Sequence, residues 1–174
     1  MGEIEGGTCM IVVSDTTPLI SLMKIDHLDL IHELFGEVQI PNAVFMELVS
    51  NSRFPNESRQ IREYSFIKKV DVTDMQSVNL LRRSTGLDAG ESEAIVLSDS
   101  IKYSLLLMDE VKGRQVARQM GIPLMGTIGI LLAAYKENLL TKEEILKCIE
   151  TLKIAGRHIS NKLYMQLLEK LTED

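Results

Sequence analysis

Two short apolar runs that each terminate in an aspartate constrain this chain most. Met10-Ile11-Val12-Val13-Ser14 leads into Asp15, and Leu105-Leu106-Leu107-Met108 leads into Asp109. An apolar run followed at once by turn chemistry predicts a strand buried on both faces. In open parallel sheets the ligand chemistry collects where such strands end. Two aspartates there make an acidic mouth, and carboxylate oxygens suit a hard divalent cation such as Mg²⁺ or Mn²⁺.

The remaining pattern alternates strands with helices. Thr17 to Met23 reads as a short helix, followed by one with Asp26 as N-cap and Gly36 as stop. Val38-Gln39-Ile40 reads as a strand closed by Pro41, which opens a helix to about Val49. Residues 51–58 read as a loop, Phe66 to Val70 as a third strand and Met75 to Arg83 as a helix. Gly90 precedes a helix from Glu91 to about Lys102, Ser104 to Met108 is a fourth strand, and a helix follows to Gly121. Ile122 to Met125 is a weak fifth strand, and Thr127 to Glu137 is helical. Thr141-x-x-Glu144 is a capping box, and Ser160 caps the last helix. This order predicts an α/β fold: right-handed crossovers, a central and mostly parallel sheet, and helices on both faces.

A length of 174 residues suits one domain. The expected organisation is a disordered leader over 1–9, a core over about 10–126 and a helical tail over about 127–174. The tail has no matching strands, so it packs on the sheet or on a second copy, which makes a homodimer an expectation. The longest uncharged stretch, Gly121 to Tyr135, is too short and too glycine-rich to span a bilayer. No basic segment followed by an apolar one marks a secretory signal. Two cysteines, Cys9 and Cys148, lack metal-ligand spacing and fit a reducing cytoplasm. His27, His32 and His158 are isolated. The net charge of −6 argues against a simple nucleic-acid binder, unless bound cations reverse the local field.

Two further acids stand in unusual places. Glu47 lies three residues after Val44 and one before Leu48, on or beside an apolar helix stripe, where a carboxylate needs a partner. Glu91 follows Gly90 at a helix start, where the dipole favours negative charge. Glu93 lies about 200° round the helix from Glu91, so the two cannot aim at one point; Glu91 is the preferred candidate.

Four segments together resemble the PIN-domain (PilT N-terminus) nucleases. They are Val12-Val13-Ser14-Asp15-Thr16-Thr17-Pro18-Leu19, the helix Ile40 to Leu48, Gly90-Glu91-Ser92-Glu93-Ala94-Ile95, and Leu105 to Asp109. Gly126-Thr127-Ile128-Gly129-Ile130-Leu131-Leu132 is similar to a little-characterised prokaryotic branch of that family, itself akin to VapC-type toxins. The resemblance spans roughly Ile11 to Leu168. It implies a five-stranded parallel sheet in three α/β/α layers. It further implies a metal site of Asp15, Glu47, Glu91 and Asp109 around Mg²⁺ or Mn²⁺, cleavage of RNA phosphodiester bonds, and a possible antitoxin partner. The family's spacing of about eighteen residues between the helix-opening acid and the strand-end acid also favours Glu91 over Glu93. Glu110 departs from the pattern, standing where many relatives carry a second aspartate.

Weaker candidates surround these acids. The Thr16 and Thr127 hydroxyls either contact a metal-bound water or phosphate, or cap their own helices. Lys112, Arg114 and Arg118 either hold the RNA backbone or form a solvated helix face. A non-catalytic binding module with an acidic cation pocket is the competing function. An aspartyl-phosphate enzyme built on Asp15 is disfavoured, because Thr17 stands where that pattern needs a second aspartate.

Overall fold

Alternating side chains of the central strands sort the molecule into layers. On β1 (Ile11–Ser14) Val12 faces one core and Val13 the other; on β4 (Ser104–Leu107) Leu105 and Leu107 face the first and Leu106 the second. The structure, a computed structural model, describes residues 9–50, 53 and 55–173. Its five-stranded sheet adds β2 (Val38–Pro41), β3 (Ile67–Val70) and β5 (Leu124–Met125), in the order β3-β2-β1-β4-β5. Every pairing is parallel, with Val13 opposite Gln39, Ser14 opposite Leu107 and Leu107 opposite Met125. Beyond β1 the chain builds outward through β2 and β3, then returns to place β4 on the other side of β1. The topological switch point therefore lies between β1 and β4, at whose ends Asp15 and Asp109 stand.

Helices cover both faces, giving a three-layer α/β/α fold. On the first face lie α1 (Thr16–Lys24), α2 (Asp29–Phe35) and α3 (Asn42–Ser50), with α8 (Thr127–Lys136), α9 (Lys142–Ile154) and α10 (Asn161–Thr172) from the tail. Their shared core joins Leu19, Leu22 and Ile31 to Ile130, Leu131, Ile145, Leu152, Leu167 and Leu171. The tail thus packs on the sheet, and each fully buried aliphatic side chain contributes about 1.5–3 kcal/mol. On the second face α6 (Ala89–Asp99) and α7 (Val111–Gln119) lay Ala94, Ile95, Leu97 and Ala117 against Val13, Leu106 and Met108. The remaining helices are α4 (Pro55–Ile61) and α5 (Met75–Thr85).

Three local expectations need correction. Asp26 does not cap α2: it has a left-handed backbone (φ 57°) and follows α1, closing it with bonds from Asp26 N–H to Met23 O and from His27 N–H to Leu22 O. Residues 55–58 belong to α4 rather than to a loop; 51, 52 and 54 lie outside the described residues. The helix expected to open at Glu91 starts at Ala89, because Asp88 and Glu91 form a reciprocal capping box, and it ends at Asp99. Of the expected leader, residues 1–8 lie outside the described residues. Among the described residues no helix is long and apolar enough to cross a membrane.

Candidate metal centre and nucleic-acid site

Asp15 directly follows β1 and is the N-cap position of α1, so the strand-to-helix turn presents it at the sheet's carboxyl edge. Its backbone N–H donates to Leu107 O at 2.9 Å, tying it to β4. Only 4% of the residue is exposed. Burial, the largest influence, raises its pKa from 3.8 to about 7; the Thr16 backbone amide opposes this, while Asp88, Glu91 and Glu47 push it further up. All three charges acting on it are negative.

Glu47 reaches this point from α3. Thr16 Oγ1 donates to Glu47 Oε2 at 2.9 Å, so the residue directly after Asp15 orients the second acid. Burial of its carboxyl raises the Glu47 pKa, the Thr16 hydroxyl lowers it, and Asp88 raises it again. Close packing of α6 makes this approach possible: a Cβ on Gly90 would stand 3.1 Å from Glu47 Oε2 and 3.4 Å from Val44 Cγ2.

Glu91 contributes from the first turn of α6. Its Oε2 accepts from Asp88 N–H at 2.9 Å, and its own N–H donates to Asp88 Oδ1 at 2.8 Å. Burial raises its pKa, the Asp88 amide lowers it, and the charges of Asp88, Glu110 and Glu47 raise it. Asp88 is therefore a further acid of the cluster, acting on Asp15, Glu47 and Glu91 alike. Its signal lay in the sequence as Asp88-x-x-Glu91, the spacing of a capping box. Glu93 has a different occupation: it is buried, and its Oε2 accepts from Ala43 N–H at 2.7 Å in the first turn of α3.

Asp109 lies on the far side of the switch point and is engaged there. Thr127 donates to it twice, from its backbone N–H (2.7 Å) and from its hydroxyl (2.6 Å), at the start of α8. Gly126 leaves room for this, since a Cβ there would fall 2.8 Å from Asp109 Oδ1 and 3.2 Å from Arg114 Nη1. Arg114 Nη1 donates to Met108 O at 2.7 Å and so braces the end of β4. Partial burial, with Arg118 nearby, lowers the Arg114 pKa, while Asp109 supports it.

The three basic candidates of α7 diverge. Arg114 and Arg118 line a groove of about 560 Å³ together with Asp109, Met125, Leu132 and Lys170. Lys112 turns instead toward Gly86, placing its Nζ 3.2 Å from where a Cβ would stand.

Among the described residues no three Asp, Glu, His or Cys side chains stand ready to grip one ion; Glu91 accepts from Asp88 N–H and Asp109 from Thr127 N–H, each at a helix start. The donor chemistry nevertheless fits a hard divalent cation. Every donor is a carboxylate, and Asp15 stands in a desolvated, wholly negative field that a cation relieves.

A family model described as a PIN domain matches residues 11–173. No curated protein matches the chain.

Proposed function

The chain belongs to the PIN-domain family, whose members are typically nucleases, and from that premise we propose a divalent-metal-dependent endoribonuclease. Its substrate is single-stranded RNA, and Asp15, Glu47, Glu91 and Asp109 are the acids that hold Mg²⁺ or Mn²⁺. Bound there, the ion supplies Lewis-acid activation of water and of the phosphoryl group. In the metal-free site burial lifts the Asp15 pKa to about 7, so a cation binding there displaces a proton close to neutrality. Thr16 keeps Glu47 turned toward Asp15, and Thr127 holds Asp109 at the end of β4. Arg114 and Arg118 offer cations to the RNA backbone along the outer groove. Service as the toxin of a toxin–antitoxin pair, and assembly as a homodimer, belong to the same proposal. A basic partner protein complements an acidic mouth on a chain of net charge −6.

The observation that carries this reading is Asp15 itself, a buried carboxyl at the switch point whose neighbouring charges are three more carboxylates. The test is cleavage of a labelled pool of single-stranded RNA by wild type and Asp15→Asn in Mn²⁺, Mg²⁺ and EDTA. Cleavage that needs metal and Asp15 supports the nuclease. Its absence in both metals, with metal still raising the melting temperature, favours a cation-binding regulatory module. That second reading draws on the helix-start engagement of Glu91 and Asp109.

A further inference from the structure

Arg157 lies in the connection between α9 and α10, far along the chain from every acid of the site. Its backbone is held firmly. Gly156 has φ +89°, Gly156 N–H donates to Lys153 O at 3.1 Å, and Arg157 N–H donates to Leu152 O at 2.9 Å. These bonds form a Schellman motif, and only a residue tolerant of the left-handed region can occupy position 156. From that anchor Arg157 Nη2 donates to Thr17 O at 3.1 Å, across 140 residues of sequence. Thr17 is two residues beyond Asp15.

Arg157 therefore stands where the two halves of the acidic mouth meet. It lines a cavity of about 300 Å³ with Thr16, Ser21 and Glu47. It also lines one of about 320 Å³ with Asp109, Glu110 and Thr127. Thr17, Ser21 and Leu152 are its companions in both walls. Among the described residues the Arg157 guanidinium has no ion-pair partner, and its one hydrogen bond goes to a neutral carbonyl. A half-buried guanidinium with donors to spare, between a cavity that holds Glu47 and Lys24 and one that holds Asp109 and Glu110, is suited to an anion that bridges them.

We infer that Arg157 is the phosphate-positioning residue of this site: its guanidinium holds a non-reacting or scissile phosphate of single-stranded RNA between the Glu47 side and the Asp109 side of the mouth. The inference rests on the RNA reading proposed above. It assigns the helical tail a direct part in substrate recognition.

The test uses the full-length protein and a labelled single-stranded oligoribonucleotide. Binding is followed by fluorescence anisotropy in the Asp15→Asn background, across a series of KCl concentrations. Cleavage in Mg²⁺ and Mn²⁺ is followed in the wild-type background. Arg157→Ala, Arg157→Met and Arg157→Lys are compared, with melting temperature measured for each. The expected result is RNA binding about tenfold weaker for Ala and Met, and a slope of log K against log salt smaller by about 0.7, one single-strand phosphate contact. KM rises while kcat changes less, and Lys restores part of the affinity and the slope. Unchanged affinity and slope in all three variants, whatever happens to melting temperature, overturn the inference and leave Arg157 a tether of the tail. RNA binding that depends on Arg157 without any wild-type cleavage would keep the inference and remove the nuclease. Wild type that neither binds nor cleaves RNA overturns both.

Discussion

The two sides of the switch point hold their acids in opposite ways. On the β1 side, burial raises the pKa values of Asp15, Glu47 and Glu91, and the negative charges around them, Asp88 acting on all three, add to the effect. On the β4 side, Asp109 accepts two hydrogen bonds from Thr127 and has Arg114 beside it. Equal residue types thus stand in unequal settings: one side carries electrostatic stress that a cation would relieve, and the other is already hydrogen-bonded by the fold. A charge strained in the resting protein marks where a ligand gains most, whereas a charge already bonded marks what holds the sheet edge and tail in register.

The largest effect separating the two sides is the pH dependence of stability without metal. The Asp15 pKa is higher in the folded chain than in the unfolded one, so the folded state binds the extra proton. Stability therefore falls as pH rises from about 4 to about 7, by up to about 4 kcal/mol at 1.36 kcal/mol per unit. Urea denaturation in EDTA at pH 4 and pH 8 should show this loss in wild type and much less of it in Asp15→Asn. Mn²⁺ should restore the wild type alone. Equal pH profiles for the two proteins would remove the asymmetry.

A smaller effect is expected on the satisfied side. Thr127→Val removes the hydroxyl bond to Asp109 and should cost about 1.5–3 kcal/mol, the usual worth of a hydrogen bond to a charged group. Calorimetry should show a melting temperature lower by several degrees, with the pH profile between 4 and 7 unchanged. Glu93→Gln comes next: it keeps an acceptor for Ala43 N–H but loses the charge at a helix start. The expected loss is about 1 kcal/mol, with metal affinity by calorimetric titration unaltered. A large fall in metal affinity would bring Glu93 into the site.

Gly90→Ala should change stability least. The helical gain of about 0.5–1 kcal/mol is offset by a contact 3.1 Å from Glu47 Oε2, so denaturation midpoints stay nearly level. Its effect falls on the geometry of Glu47, read as weaker Mn²⁺ binding.

Much of this architecture was legible because its signals are local. Apolar runs ending in Asp15 and Asp109, the stop at Gly36 and the Thr141-x-x-Glu144 box all act within a few residues, and each is realised in the fold. Asp26 failed because an aspartate between two helices suits either the end of one or the start of the next. The Asp88-x-x-Glu91 signal is equally local, but Gly90 reads as a residue outside the helix and so moves the expected start from Ala89 to Glu91. Which oxygen meets which donor is a different kind of information. Pairing Asp109 with Thr127 requires the β4–β5 alignment, and bringing Arg157 to Thr17 requires the whole tail to dock. No periodicity records such meetings.

The shared core of the first face has a consequence for the chain as it is synthesised. Leu19 and Leu22, directly behind Asp15, share their apolar core with Leu152, Leu167 and Leu171. All four proposed catalytic acids emerge from the ribosome well before those partners exist. A nascent chain thus carries every carboxylate of the mouth before the apolar scaffold behind Asp15 is complete, and on the proposed nuclease reading its cleavage activity would wait for the tail helices.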